Sequence, residues 1–156
     1  MLSCRKVVAR ARARLVHRRR SVAPSILIVD DEPHISHMVQ QVLVEEQFEV
    51  EVAGCGLEAL EQLEAGPFDL AIIDLCLPDI TGLDLAEAIR MLDPGTPVIL
   101  ITAYGTPVFE LIASHPAIAH YVHKPFALER LLELVHASVA TGIEGNAAPL
   151  ADDASG

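Results

Sequence analysis

Ser25-Ile-Leu-Ile-Val-Asp-Asp-Glu-Pro33 joins a run of apolar residues directly to three carboxylates. A short, continuous apolar run such as 26–29 is the pattern of a strand buried on both faces, the kind found in parallel sheets covered by helices. The acids that follow carry a penalty. Two carboxylates at ~4 Å repel by about 4 kcal/mol at an effective dielectric near 20. Something elsewhere in the chain has to offset it. Pro33 then fits a first helical turn, where a missing N–H breaks no hydrogen bond.

Working outward, the chain alternates between two periodicities. Ile35, Met38, Val39, Val42 and Leu43 recur at helical spacing, and Phe48, Val50 and Val52 alternate as a second strand ending at Gly54. Leu57, Leu60 and Leu63 predict a short helix stopped by Gly66-Pro67. Residues 70–73 read as a third strand, ended by Asp74. Leu83, Leu85, Ala86, Ile89 and Leu92 predict a helix closed by Asp93-Pro94-Gly95. A fourth strand over 98–101 ends in Thr102, and a weaker helix is expected over about 108–114. A last strand over 119–123 precedes Lys124-Pro125, and a strong closing helix covers 128–139. Five strand–helix units predict an α/β fold: an open parallel sheet with helices on both faces.

Composition and charge narrow the function classes. A hydrophobic share of 51% supplies a core, which must be aliphatic because Trp is absent. No apolar run approaches the roughly 18 residues of a membrane span, so no membrane role is expected. Eight of the 11 basic residues precede Ser21, whereas all 22 acids follow it, opposed there only by Arg90, Lys124 and Arg130. A body that acidic repels phosphate backbones, so direct nucleic-acid binding by the folded part is not expected. Cys4, Cys55 and Cys76 form no CxxC pair and suggest neither a disulfide framework nor a zinc site. A reducing, cytoplasmic setting fits them.

The chain divides into a basic N-terminal extension (1–24), one folded domain (25–140) and a small, polar, Gly-rich tail (141–156). The extension lacks the apolar stretch of a secretory signal. It reads as a disordered tail or an extension from an early start codon, as an Arg-rich transit peptide, or as a basic arm.

In open α/β sheets, ligands bind beyond the carboxyl ends of the strands. Strand one ends in Asp30-Asp31, strand three in Asp74, strand four in Thr102 and strand five in Lys124. Three carboxylates, a hydroxyl and an ammonium therefore converge on one rim. One Mg²⁺ and one Lys⁺ balance three carboxylates, and a site of few carboxylates and several waters suits Mg²⁺. A carboxylate beside a cation and a lysine is equipped to attack phosphorus and form an aspartyl-phosphate.

The set Asp30-Asp31, Asp74, Thr102-Ala103 and Lys124-Pro125, in that order and spacing, resembles the receiver domain of two-component response regulators over about residues 25–140. The resemblance implies a flavodoxin-like sheet in the order 2-1-3-4-5. It implies that Asp74 accepts a phosphoryl group from a histidine kinase or a phosphotransfer protein. Asp31 and Asp74 match carboxylates that bind Mg²⁺ directly, Asp30 one that acts through water, and the main-chain carbonyl of Cys76 a further ligand. Thr102 matches the switch hydroxyl, Lys124 the cation that pairs with the phosphoryl group, and Tyr121 the aromatic that follows Thr102. A cis bond is implied at Lys124-Pro125, and output to a protein target is implied through the helix 4–strand 5–helix 5 face.

The implied role is a signalling switch that catalyses only its own phosphorylation and dephosphorylation. A degenerate receiver acting as an interaction module, and a small phosphohydrolase with an aspartyl-phosphate intermediate, are the alternatives. Where the family often has Gly-Ala before its last strand, this chain reads His115-Pro116-Ala117-Ile118-Ala119. Glu32 reads as a first-turn acid favoured by the helix dipole, so its removal is expected to matter little. The Cys76 side chain reads as loop filling, and His34 and His37 as solvated. His120 and His123 point to opposite faces of a strand and cannot chelate together. Tyr104, two residues beyond Thr102, is expected to shield a phosphoryl group from water.

Overall fold

The computed structural model describes residues 23–103 and 106–143. Most of the basic extension, the end of the tail and Tyr104 lie outside them. Five strands alternate with five helices: β1 (Ser25–Val29), α1 (Pro33–Glu45), β2 (Glu49–Ala53), α2 (Gly56–Ala65), β3 (Leu70–Asp74), α3 (Gly82–Leu92), β4 (Val98–Thr102), α4 (Thr106–Ala113), β5 (His120–His123) and α5 (Leu128–Ile143). The closing helix runs past its expected end at Val139 and into the tail expected from residue 141. All strands pair in parallel, in the order β2-β1-β3-β4-β5. The chain turns back across β1 to place β3 on its other side, so the crevice between β1 and β3 is the switch point of the sheet.

The period of two along each strand sorts side chains into two cores. Ile26, Ile28, Leu70, Ile72, Ile99, Ile101 and Val122 pack with Val39 and Leu43 of α1 and Leu131, Leu134 and Val135 of α5. Leu27, Val29, Ala71, Ile73, Val98 and Leu100 pack instead with Ala59 of α2, Leu85, Ala86 and Ile89 of α3, and Ile112 of α4. The central strands β3 and β4 are buried along their whole length. The edge strand β2 exposes Glu49 and Glu51, and charges on an edge discourage pairing with another chain.

Two contacts fix the loop between β3 and α3. At Gly82, an added Cβ would stand 2.2 Å from the carbonyl oxygen of Asp74 and 2.8 Å from Leu75 Cα. Only glycine lets α3 begin so close to the end of β3, and the Gly82 N–H donates to the Leu75 carbonyl at 2.8 Å. Farther round the loop, Asp79 supplies the cap that α2 lacks. Cys55 occupies the N-cap of α2 without a side-chain cap bond. The Asp79 carboxylate accepts instead from Gly56 N (2.9 Å) and Leu57 N (2.8 Å).

Desolvation pushes the Asp79 carboxyl up, but the N–H donors of Gly56, Leu57 and Ile80 together outweigh it and hold its pKa below the usual value. A carboxylate with a depressed pKa adds stability above its unfolded pKa, and that contribution fades as pH falls through the folded one.

Two outcomes follow for stability. Gly82→Ala should destabilise by about 2–3 kcal/mol, because the obstructing atoms are backbone and cannot yield as side chains do. Urea denaturation measures it, and a loss below ~0.5 kcal/mol would contradict the close approach. Asp79→Ala should cost about 1 kcal/mol at pH 7, the usual value of a lost cap. The gap from the native protein should shrink at about pH 3, below the ordinary carboxylate value. An equal gap at both pH values would show that the charge does not matter.

Candidate functional site

The carboxyl ends of β1, β3, β4 and β5 bring together residues far apart in sequence. Asp30 follows β1, its N–H held by the Ala53 carbonyl at 3.1 Å. Asp74 is the last residue of β3 and pairs with Ile101, so Thr102 lies one step further along the neighbouring strand. Lys124 follows β5, its N–H donating to the Thr102 carbonyl at 2.9 Å, and the Lys124-Pro125 bond is cis. Each polar group is thus set by the hydrogen-bonded frame of the sheet.

Asp30, Asp31 and Asp74 each offer an oxygen within 4.8 Å of the others. Asp30 and Asp74 are only 4% and 6% exposed, whereas Asp31 faces solvent. Asp30 Oδ1 accepts from Glu32 N at 2.8 Å, and Asp74 Oδ1 accepts from Cys76 N at 2.8 Å. Asp30 Oδ2 is buried without a hydrogen-bond partner among the described residues. A buried, orphaned carboxylate oxygen beside two more carboxylates has the donor chemistry that a hard divalent cation requires. The residues present therefore fit such an ion.

Lys124 neutralises part of this charge. Its Nζ donates to Asp74 Oδ2 at 2.6 Å and to Glu32 Oε1 at 2.9 Å, and stands 3.6 Å from Asp30 Oδ2. Burial pulls the Lys124 ammonium down, but the bonds to Asp74 and Glu32 and the charges of Asp30 and Asp74 outweigh it, leaving its pKa above the ordinary lysine value. Asp30 moves the other way for a carboxyl: burial raises its pKa, and the Glu32 N–H and Lys124 offset that only in part. Asp30 therefore holds a proton more readily than an isolated carboxyl does.

Thr102 and Tyr121 stand together on a different face. Leu100 and Tyr121 are paired and both pack in the α2–α3–α4 core, and Thr102, two residues after Leu100, projects to that side. Thr102 is buried and Tyr121 half-buried. Cys76 is exposed, and its backbone makes an isolated bridge to Thr81. His34 and His37 are exposed on α1, and His123 is exposed while His120 is half-buried.

Glu32 is not the first-turn acid that the sequence suggests. It lies at the N-cap of α1, outside the first turn, and makes no cap bond with its side chain. Its carboxylate crosses to Lys124 instead. The signal was present in Pro33: a proline at the first helical position puts the residue before it at the cap. Asp79 was missed as well, and only its glycine-flanked partner helix, capped by a cysteine, hinted at it.

Comparison with known proteins agrees with this geometry. The profile of the response regulator receiver domain matches residues 26–136. The response regulator protein PilR of Pseudomonas aeruginosa is 41% identical over 109 residues, which is 70% of this chain and 24% of PilR. A CheY-like response regulator receiver domain protein from Methanospirillum hungatei JF-1 superposes with a TM-score of 0.74 at 31% identity, covering 80% of this chain and 99% of that one. The response regulator TrrA of Thermotoga maritima, solved in complex with Mg²⁺-BeF, gives 0.65 at 36% identity over 74% and 98% of the two chains. The chain spans about half, or less, of the length of the first curated relatives it matches. With the likeness running through sequence and sheet order alike, the chain belongs to the family of response regulator receiver domains of two-component systems.

Proposed function

We propose that this chain is a phosphorylation switch whose acceptor is Asp74, operating with Mg²⁺ and charged by a histidine kinase or a phosphotransfer protein. One observation carries the reading: the Asp74 carboxylate sits beside Asp30 and Asp31 while its Oδ2 is bonded to Lys124 at 2.6 Å. A nucleophile, a cation site and a fixed ammonium within one small pocket are what phosphoryl transfer demands.

Asp31, Asp74 and the Cys76 carbonyl would hold the ion directly and Asp30 through water. A bound divalent ion supplies charge neutralisation for the phosphoryl oxygens. The chain's own residues do the rest. The Cys76 N–H on Asp74 Oδ1 fixes the carboxylate plane, leaving its orientation toward the rim unchanged as a donor arrives. The Lys124 ammonium stays charged at any physiological pH and passes from the carboxylate to a phosphoryl oxygen. The buried Thr102 hydroxyl, one step along β4 from the residue paired with Asp74, turns to the new group. Tyr121, on the same face as Thr102, moves into the space this opens.

The shift biases a two-state equilibrium, and the face formed by α4, β5 and α5 presents it to a protein target. The chain acts as a switch that catalyses only its own phosphorylation and dephosphorylation. No helix among the described residues is long and apolar enough to cross a membrane. The chain would work in the cytoplasm, and its acidic body disfavours direct contact with nucleic acid.

Two measurements test the reading. Acetyl phosphate should label the native chain only with Mg²⁺ present, and chelation or Asp74→Asn should abolish the label; a native chain that stays unlabelled refutes the proposal. Asp31→Ala should weaken Mg²⁺ binding by at least about tenfold, as expected when one of few charged ligands is lost. Calorimetric titration reads this, and unchanged affinity would remove Asp31 from the site.

A further inference from the structure

The geometry around Lys124 includes a carboxylate that the cation cluster does not use. An ammonium has three donors. Those of Lys124 face Asp74 Oδ2 at 2.6 Å, Glu32 Oε1 at 2.9 Å and, more distantly, Asp30 Oδ2 at 3.6 Å. The cluster suited to a metal comprises Asp30, Asp31 and Asp74, without Glu32. Glu32 is the outer partner: its side chain is 58% exposed, against 15% for Lys124 and 3% for Asp30. It walls the ammonium off on the solvent side.

Its position is fixed by the backbone. The Glu32 N–H donates to Asp30 Oδ1, and its carbonyl accepts from Ser36 N at 3.1 Å. Pro33 follows as the first residue of α1. A residue at an N-cap ordinarily satisfies its own helix. Glu32 forgoes that bond and reaches a lysine 92 residues away in sequence. Any phosphodonor approaching Asp74 meets this extra negative charge and must draw Lys124 away from it.

We propose that Glu32 is a specificity-determining residue for phosphoryl transfer to Asp74. It occupies the outer donor of Lys124 and holds a negative charge at the mouth of the site, which retards transfer from small, free, anionic phosphodonors. A protein donor brings its own docking contacts and bears the same cost more easily. The inference rests on Asp74 being the acceptor. With phosphoramidate, the P–N bond breaks, ammonia leaves with the bonding electron pair, and a bond forms between phosphorus and an Asp74 oxygen. Lys124 turns one donor to a phosphoryl oxygen during this step, and Glu32 competes for that donor.

The test follows the rate of phosphorylation of the full chain in saturating Mg²⁺, for the native protein, Glu32→Gln and Glu32→Asp. Phosphoramidate and the more highly charged acetyl phosphate are compared at low and high salt. Glu32→Gln should react about fivefold faster, the size of an exposed ion-pair effect. The gain should be larger with acetyl phosphate, and the rate should depend less on salt than the native rate does. Glu32→Asp keeps the charge but is too short to reach Lys124, so an intermediate rate separates blockade of the ammonium from repulsion at the mouth. A merely structural role would move neither the salt dependence nor the ranking of donors. If the native chain is labelled and Glu32→Gln is equally fast or slower, this inference fails while the acceptor assignment stands. If the native chain is not labelled by either donor, both fail together.

Discussion

Two carboxylates more than nine-tenths buried, Asp30 and Asp74, share one end of an aliphatic sheet, and the Lys124 ammonium is what makes that arrangement tolerable. Removing charges from water is costly, and a buried pair recovers the cost only with close geometry and further hydrogen bonds. Here the contacts are close: Lys124 meets Asp74 Oδ2 at 2.6 Å, and Asp74 Oδ1 and Asp30 Oδ1 accept from the backbone N–H groups of Cys76 and Glu32. One oxygen, Asp30 Oδ2, stays without a hydrogen bond among the described residues. Counting Asp30, Asp31, Asp74 and Lys124, the site is two positive charges short, a deficit that one divalent cation would fill.

The sheet exists in the form that this constraint needs. Parallel strands deliver every carboxyl end to one rim, so residues 30, 74, 102 and 124 meet without any local sequence relation. The hydrogen bonds from Asp30 N to Ala53 O and from Lys124 N to Thr102 O extend the ladder just past the strands and set both charged residues. An antiparallel sheet would divide the same strand ends between opposite edges.

Strand and helix periodicity made the architecture legible because both sheet faces are buried. The continuous apolar runs at β1, β3 and β4 have few other uses, and each leads directly into a residue of the polar rim. Asp31, Asp74 and Lys124 were recognisable from their place at strand ends. Glu32 and Asp79 were not, since each acts across space on a partner from another element. A side chain at an N-cap usually serves its own helix, and nothing local says that Glu32 serves β5 instead. Asp79 looks like an ordinary turn residue until α2 is found capped by Cys55, which makes no side-chain cap. The need for glycine at position 82 likewise appears only when the Asp74 carbonyl is found beneath it.

The loop from Leu75 to Thr81 is tied at two points, by Gly82 against Asp74 where its ends meet and by Asp79 on the first turn of α2. These contacts link the end of β3 to the start of α2 through a single loop. Any rearrangement at Asp74 that displaces Cys76 must either carry the first turn of α2 along or break its cap. The amide protons of Gly56 and Leu57, well removed from Asp74 in sequence, are therefore placed to report spectroscopically on a displacement at the end of β3.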